Sequence, residues 1–204
     1  PCATVQHCAA TYIKDVEVGI DFNDRIFHGI KKLKRKMPRR VFIEGNHEHR
    51  LKRAIQIQPE LEGDGFGIHW NDLHLDKYYH DVVQYVGNTP GIIEIDGVSY
   101  SHFFGSGVKG LPIGGEHPAH AMVTKLGSSV TCGHIHTFDH CVRTTVRGER
   151  RIGLMAGAFM DYHNGWAGSA NNLYWNGVVL KDNVSNGVYD MRQISMASLK
   201  KAYG

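Results

Sequence analysis

No apolar run in this 204-residue sequence approaches the ~18 residues that a membrane-spanning helix needs, so a membrane partner is not expected. No signal peptide is visible at its start. The cysteines are few and scattered: Cys2, Cys8, Cys132 and Cys141 make neither the Cys-x-x-Cys pairs of a zinc ribbon nor a dense disulfide framework. They read as reduced, mostly buried thiols of a cytosolic protein, with Cys132 ending a core strand; a Cys2–Cys8 disulfide has only proximity in its favour. Excess charge is also small. A net charge of +3 does not by itself argue for nucleic acid. Repeats and low-complexity tracts are absent.

What remains is the composition of one soluble globular domain over residues 1–204, long enough to bury a substantial core. Hydrophobic residues make up 42% and charged residues 21%, which excludes a disordered chain. Fourteen histidines is a high count and directs attention to metal chemistry. Two histidine motifs stand out. Gly45-Asn46-His47-Glu48 follows the β-rich run Arg40–Glu44, and Gly133-His134-Ile135-His136 follows Ser128–Cys132, with Ser101-His102 between them. Residues just past strand ends sit on loops held by a scaffold, where open α/β sheets place their ligands. An Asn oxygen and neutral His nitrogens bind borderline divalent metals.

Taken alone, each residue has a plainer reading. Asn46 suits a turn, His102 suits a satisfied strand-end histidine, and His134 and His136 suit two faces of a strand end. Together and in this order they resemble the calcineurin-like metallophosphoesterase superfamily, over nearly the whole chain. The phage and bacterial branch is the nearest likeness, through His102–Val108 and Pro112-Ile113-Gly114-Gly115-Glu116. The resemblance implies an α/β fold, a four-layer αββα sandwich. It also implies a dinuclear-metal phosphoesterase, a hydrolase acting on a phosphomonoester or phosphodiester through a hydroxide bridging two metal ions. By resemblance, Asn46, His102 and His134 bind one metal, His136 binds the other, and His47 acts as acid or charge stabiliser at the leaving oxygen. The ions implied are divalent, with manganese ahead of iron and zinc.

The family pattern also has an Asp-x-His after its first strand and a Gly-Asp-x-x-Asp after its second. Neither precedes Asn46, and the one Gly-Asp pair, Gly63-Asp64, falls after it. The expectation is therefore an N-terminally incomplete chain lacking the first strand–helix unit, with little or no activity alone. The competing functions are a non-catalytic binding or scaffold member of the same fold and a nucleic-acid-binding protein. The basic run Lys31-Lys32-Leu33-Lys34-Arg35-Lys36, with Arg39 and Arg40, keeps a nucleic acid open as a partner beside the phosphate ester. Its plainer reading is a solvated helix face.

Residues 1–18 read as loop-like, with a helix starting near Asp21 or Asn23, striped by Ile26, Ile30, Leu33 and Met37 and ended by Pro38. A short basic helix is expected over Glu48–Ile57, beyond a loop bearing Asn46 and His47. Residues 60–80 read as irregular, with a short helix near Asn71–Tyr79. Asp81–Val86 reads as a strand, and a hairpin is centred on Asp96-Gly97. The glycine-rich stretch Gly105–Gly115 reads as a loop, and His117–Leu126 as a helix. Further strands are expected over Ser128–Cys132, Cys141–Val146, Arg151–Met160, Tyr174–Leu180 and Val188–Ile194, before a terminal helix over Met196–Ala202. His49 and Arg50 read as peripheral. Asp161, Tyr162 and His163 are weak substrate-contact candidates on what is more simply a loop.

Overall fold

Between Thr11 and Lys32 there is no proline, and residues able to pack recur every three or four positions. This stretch lies within one long helix, α1 (Val5–Lys32). The computed structural model describes residues 5–33, 35–62 and 67–204; Cys2, Lys34 and Gly63-Asp64 of the sequence analysis lie outside them. The helix corrects three expectations. It begins well before Asp21, and its packed face is Tyr12, Val16, Ile20, Asn23, Phe27 and Ile30, while Ile26 is 41% and Leu33 66% exposed. Polar Asn23 interrupts the apolar spacing. It can sit on that face because Tyr79 donates its hydroxyl to Asn23 Oδ1 at 2.7 Å. The helix also ends at Lys32, well before Pro38.

The described chain clusters into two compact units, Pro1–Tyr85 and Val86–Gly204. In the first, α1 is followed by β1 (Val41–Ile43), α2 (Asn46–Ile57), two short 3-10 turns (Pro59–Leu61 and Trp70–Leu73), α3 (Leu75–Tyr78) and β2 (Asp81–Val83). Strands β1 and β2 pair in parallel, Val41 opposite Asp81 and Ile43 opposite Val83. Phe27 carries the contact with α1. Its ring stacks on Tyr78 at 6.0 Å and meets the edge of Tyr79 at 5.6 Å, and the Arg40 guanidinium lies 5.0 Å from its centre.

The second unit is built on a mixed sheet. Its elements in chain order are β3 (Ile93–Ile95), β4 (Val98–Tyr100), β5 (Gly105–Ser106), β6 (Leu111–Pro112), α4 (Pro118–Leu126), β7 (Ser129–Cys132), β8 (Phe138–Thr144), β9 (Arg150–Ala156), β10 (Gly177–Ser185), β11 (Val188–Ser195) and α5 (Met196–Tyr203), with a 3-10 stretch over Gly165–Leu173. Five strands form one sheet in the order β3-β4-β7-β9-β8. β4, β7 and β9 are mutually parallel, and β3 and β8 run antiparallel at the edges. The glycine-rich stretch expected as a loop contains the small β5–β6 hairpin.

Alternation along the strands assigns the two faces. Val130 and Cys132 of β7 join Met155, Ala119, Met122, Phe104 and Ile113 in the core under α4. On the other face Val98 and Ile152 pack against Tyr189 of the β10–β11 hairpin, with Tyr100, Val184, Val188 and Met191 around them. The unit is thus layered as helix, sheet and hairpin, a mixed α/β arrangement. Two tight turns hold the hairpin in place. Asp96-Gly97 and Asn186-Gly187 all have positive φ, between 48° and 80°, and the Gly187 amide donates to Asp96 O at 2.8 Å. Among the described residues no helix is long and apolar enough to cross a membrane.

Gly153 lets α4 lie directly on β9: a Cβ there would stand 2.4 Å from Ala119 O and 2.6 Å from Val123 Cγ2. Gly153→Ala should therefore destabilise the protein by about 1–3 kcal/mol through overpacking. Denaturant melts read this directly, and an unchanged midpoint would show that α4 yields without cost.

Candidate functional site

Parallel pairing sends β4 and β7 out of the same edge of the sheet. Tyr100 is opposite Thr131, and the Ser101 amide continues the ladder to Thr131 O at 3.3 Å. Ser101 is buried, and its hydroxyl bonds to Gly91 O and Phe103 O, both at 2.9 Å. These bonds fix the turn carrying His102. From the other strand, the backbone beyond Cys132 turns through Gly133-His134-Ile135-His136, where His136 has φ 62° and bonds its amide to Gly133 O at 3.4 Å. The two loops bring His134 Nδ1 within 2.9 Å of His102 Nε2, with ring centres 4.8 Å apart at 73°. Phe103 flanks the pair, 5.2 Å from His134 and 6.0 Å from His102.

A 2.9 Å contact between imidazole nitrogens requires one to donate and the other to accept. The same separation is the edge of a coordination shell. Nitrogens each about 2.0–2.1 Å from one ion at right angles lie about 3 Å apart. The donor chemistry therefore fits two adjacent positions on a single divalent ion once the intervening proton is displaced. The His136 ring meets Tyr174 edge-on at 5.0 Å, and its carbonyl accepts from the Trp175 amide at 3.0 Å. Among the described residues no three His, Cys, Asp or Glu side chains gather as a metal-holding group.

Asn46 and His47 belong to the first unit, and their setting corrects the expected loop. Gly45 is the N-cap of α2, so Asn46 and His47 are its first two helical residues, Asn46 half-buried and His47 exposed. Glu48 reaches back to the Gly45 amide at 2.8 Å, closing the turn. Behind it lies Glu44, fully buried, which the sequence analysis passed over. Its carboxylate accepts from His49 Nδ1 at 3.3 Å, Lys52 Nζ at 3.0 Å and the Tyr85 amide at 2.7 Å. His49 is thus buried rather than peripheral, and it stacks on Tyr85 at 4.2 Å. Burial, then the Glu44 and Glu48 carboxylates, push the Tyr85 phenol up to about 12. Lys52 is further held by Gln84 at 2.8 Å and by the Trp70 ring at 3.8 Å. The signal was in the sequence: an acidic residue closing an apolar run, with His49 and Lys52 three apart on one helical face.

Other candidates resolve simply. Cys132 is a buried thiol pushed up to about 12 by burial, which rules it out as a nucleophile at neutral pH. Asp161 pairs with Lys200 at 2.6 Å on an exposed loop. In the basic run, Arg39 pairs with Asp81 at 2.8 Å, and Arg35 and Lys36 are exposed. No family model, no curated protein and no solved structure matches this chain.

One further group stands just below the histidine pair. Lys181 of β10 reaches across to the sheet, donating to Thr131 Oγ1 at 2.6 Å and Tyr100 Oη at 3.0 Å. Burial pushes its amine down to about 7. An unfolded lysine keeps its proton to about 10.4. Between these values the unfolded chain binds more protons, so stability should rise with pH. Melting temperatures measured from about pH 7 toward pH 10 should climb in the wild type and stay flat in Lys181→Met; parallel profiles would mean that the amine is solvated. In the first unit, Glu44→Ala strands three donors and should cost about 3–5 kcal/mol. Glu44→Gln retains an acceptor for the Tyr85 amide and should cost less, as chemical denaturation would reveal.

Proposed function

We propose that this chain is a metal-dependent phosphoesterase of the calcineurin-like type, acting on a phosphomonoester or phosphodiester. The observation that carries the reading is the approach of His102 Nε2 to His134 Nδ1 at 2.9 Å, at the C-terminal ends of adjacent parallel strands. These nitrogens would hold one divalent ion, manganese ahead of iron or zinc. The resemblance adds Asn46 to that ion, His136 to a second, and the αββα sandwich to the fold. Bound divalent ions supply Lewis acidity and water activated at neutral pH.

The chain's own residues then have distinct tasks. His102 and His134 must present lone pairs inward, so their remaining protons belong on His102 Nδ1 and His134 Nε2. His47 is exposed in the first turn of α2, and by the resemblance it would hand a proton to a leaving oxygen. The second reading is a non-catalytic binding member of the same fold. It is favoured by the absence of the two aspartate motifs from these 204 residues and predicts metal uptake without turnover of either ester.

Manganese content and hydrolysis of chromogenic mono- and diesters, measured together, test the proposal. In a form with measurable turnover, His134→Ala should lower both metal occupancy and rate, whereas His47→Ala should retain metal and lose about 10²–10⁴ in rate. Equal metal loss in the two variants would make His47 a ligand and defeat its assignment as an acid.

A further inference from the structure

Lys181 has unusual surroundings for an amine. Besides its two hydroxyl acceptors, it lies 4.3 Å from the centre of the Tyr100 ring and 4.4 Å from that of Tyr189. No carboxylate of the described residues pairs with it, and desolvation alone accounts for its lowered basicity. Its cross-strand partner on β11 is Met191, which belongs to the apolar layer between hairpin and sheet. A methionine at 181 would suit that layer better, because a buried amine without a countercharge is destabilising.

The two acceptors indicate why an amine is there. Tyr100 lies two residues before His102, and Thr131 lies three before His134. They are also register partners, at the last paired position of β4. Backbone pairing fixes the distance between the strands; beyond that rung the Ser101 amide bonds Thr131 O and Phe104 packs with Cys132 in the core, and Lys181 adds a side-chain tie at the rung itself. We propose that Lys181 is a positioning residue: by bonding to Tyr100 and Thr131 together, it clamps the ends of β4 and β7 and sets the spacing of His102 and His134. For its consequence in metal binding this rests on the phosphoesterase reading, whereas the clamp itself does not.

The test uses the full chain, with Co²⁺ as probe and the imidazole ¹⁵N resonances of His102 and His134 as a direct report of their contact. Lys181→Met should melt at the same temperature or higher. It should nevertheless shift both imidazole signals away from their hydrogen-bonded positions and weaken cobalt binding by about 10–100-fold, as loss of a ligand's supporting shell does. Tyr100→Phe combined with Thr131→Val, which removes both acceptors and keeps the shapes, should reproduce the change. Adding Lys181→Met to that pair should then do nothing more. Unchanged imidazole signals in both variants would overturn the clamp. So would affinity and melting temperature falling in step, the mark of ordinary structural damage. If the wild type takes up no cobalt, the phosphoesterase reading fails, and the imidazole signals still decide the role of Lys181.

Discussion

The parallel pairing of β4 with β7 is the constraint on which the second unit turns. Had these strands run antiparallel, the loops after Tyr100 and Cys132 would leave opposite edges of the sheet, and His102 could not meet His134. Parallel pairing demands a long crossover, and the chain provides one in the β5–β6 hairpin and α4. That crossover covers one face of the sheet, which is why β7 is buried along its whole length. The opposite face is closed by the β10–β11 hairpin, which supplies Lys181. The loops that carry the histidines are therefore short extensions of a rigid, double-sided layer.

Glu44 and Lys181 are both withdrawn from solvent, Glu44 fully and Lys181 in part, and the two are treated in opposite ways. Glu44 is surrounded by donors from three directions, one of them cationic, so its desolvation is offset locally. Lys181 has only neutral oxygens and ring faces, and its environment favours the uncharged amine. The first pattern locks a backbone turn. The second leaves a group whose protonation is poised near neutrality.

Much of this was legible in the residues, and the exceptions have physical causes. Asp96-Gly97 announced its hairpin because few dipeptides tolerate two successive positive φ values. The helix expected over His117–Leu126 is α4, and the strands expected over Cys141–Val146 and Arg151–Met160 overlap the β8–β9 hairpin. The start of α1 was obscured because its packed face passes through Asn23, a polar residue made welcome by a hydroxyl more than fifty positions away. The Asn46-His47 turn read as a loop because its cap is a glycine, with no side-chain oxygen to announce the helix. The meeting of His102 with His134 was foreseeable only through the order of motifs. Lys181 was invisible in principle: whether a lysine in an alternating strand faces solvent or core depends on a register that local sequence does not specify.

The docked turns Asp96-Gly97 and Asn186-Gly187 divide the loops of the second unit by their tolerance of altered length. A Cβ on Gly97 would stand 2.5 Å from the Gly187 amide nitrogen, so neither turn has room for an added residue. The turn between β8 and β9 is different, because nothing lies within 4 Å of a Cβ built on Gly148. Inserted peptides, fused domains or relocated termini would be accommodated at Arg147-Gly148. The same changes at Gly97 or Gly187 would pry the hairpin from the sheet and carry Lys181 away from both of its acceptors.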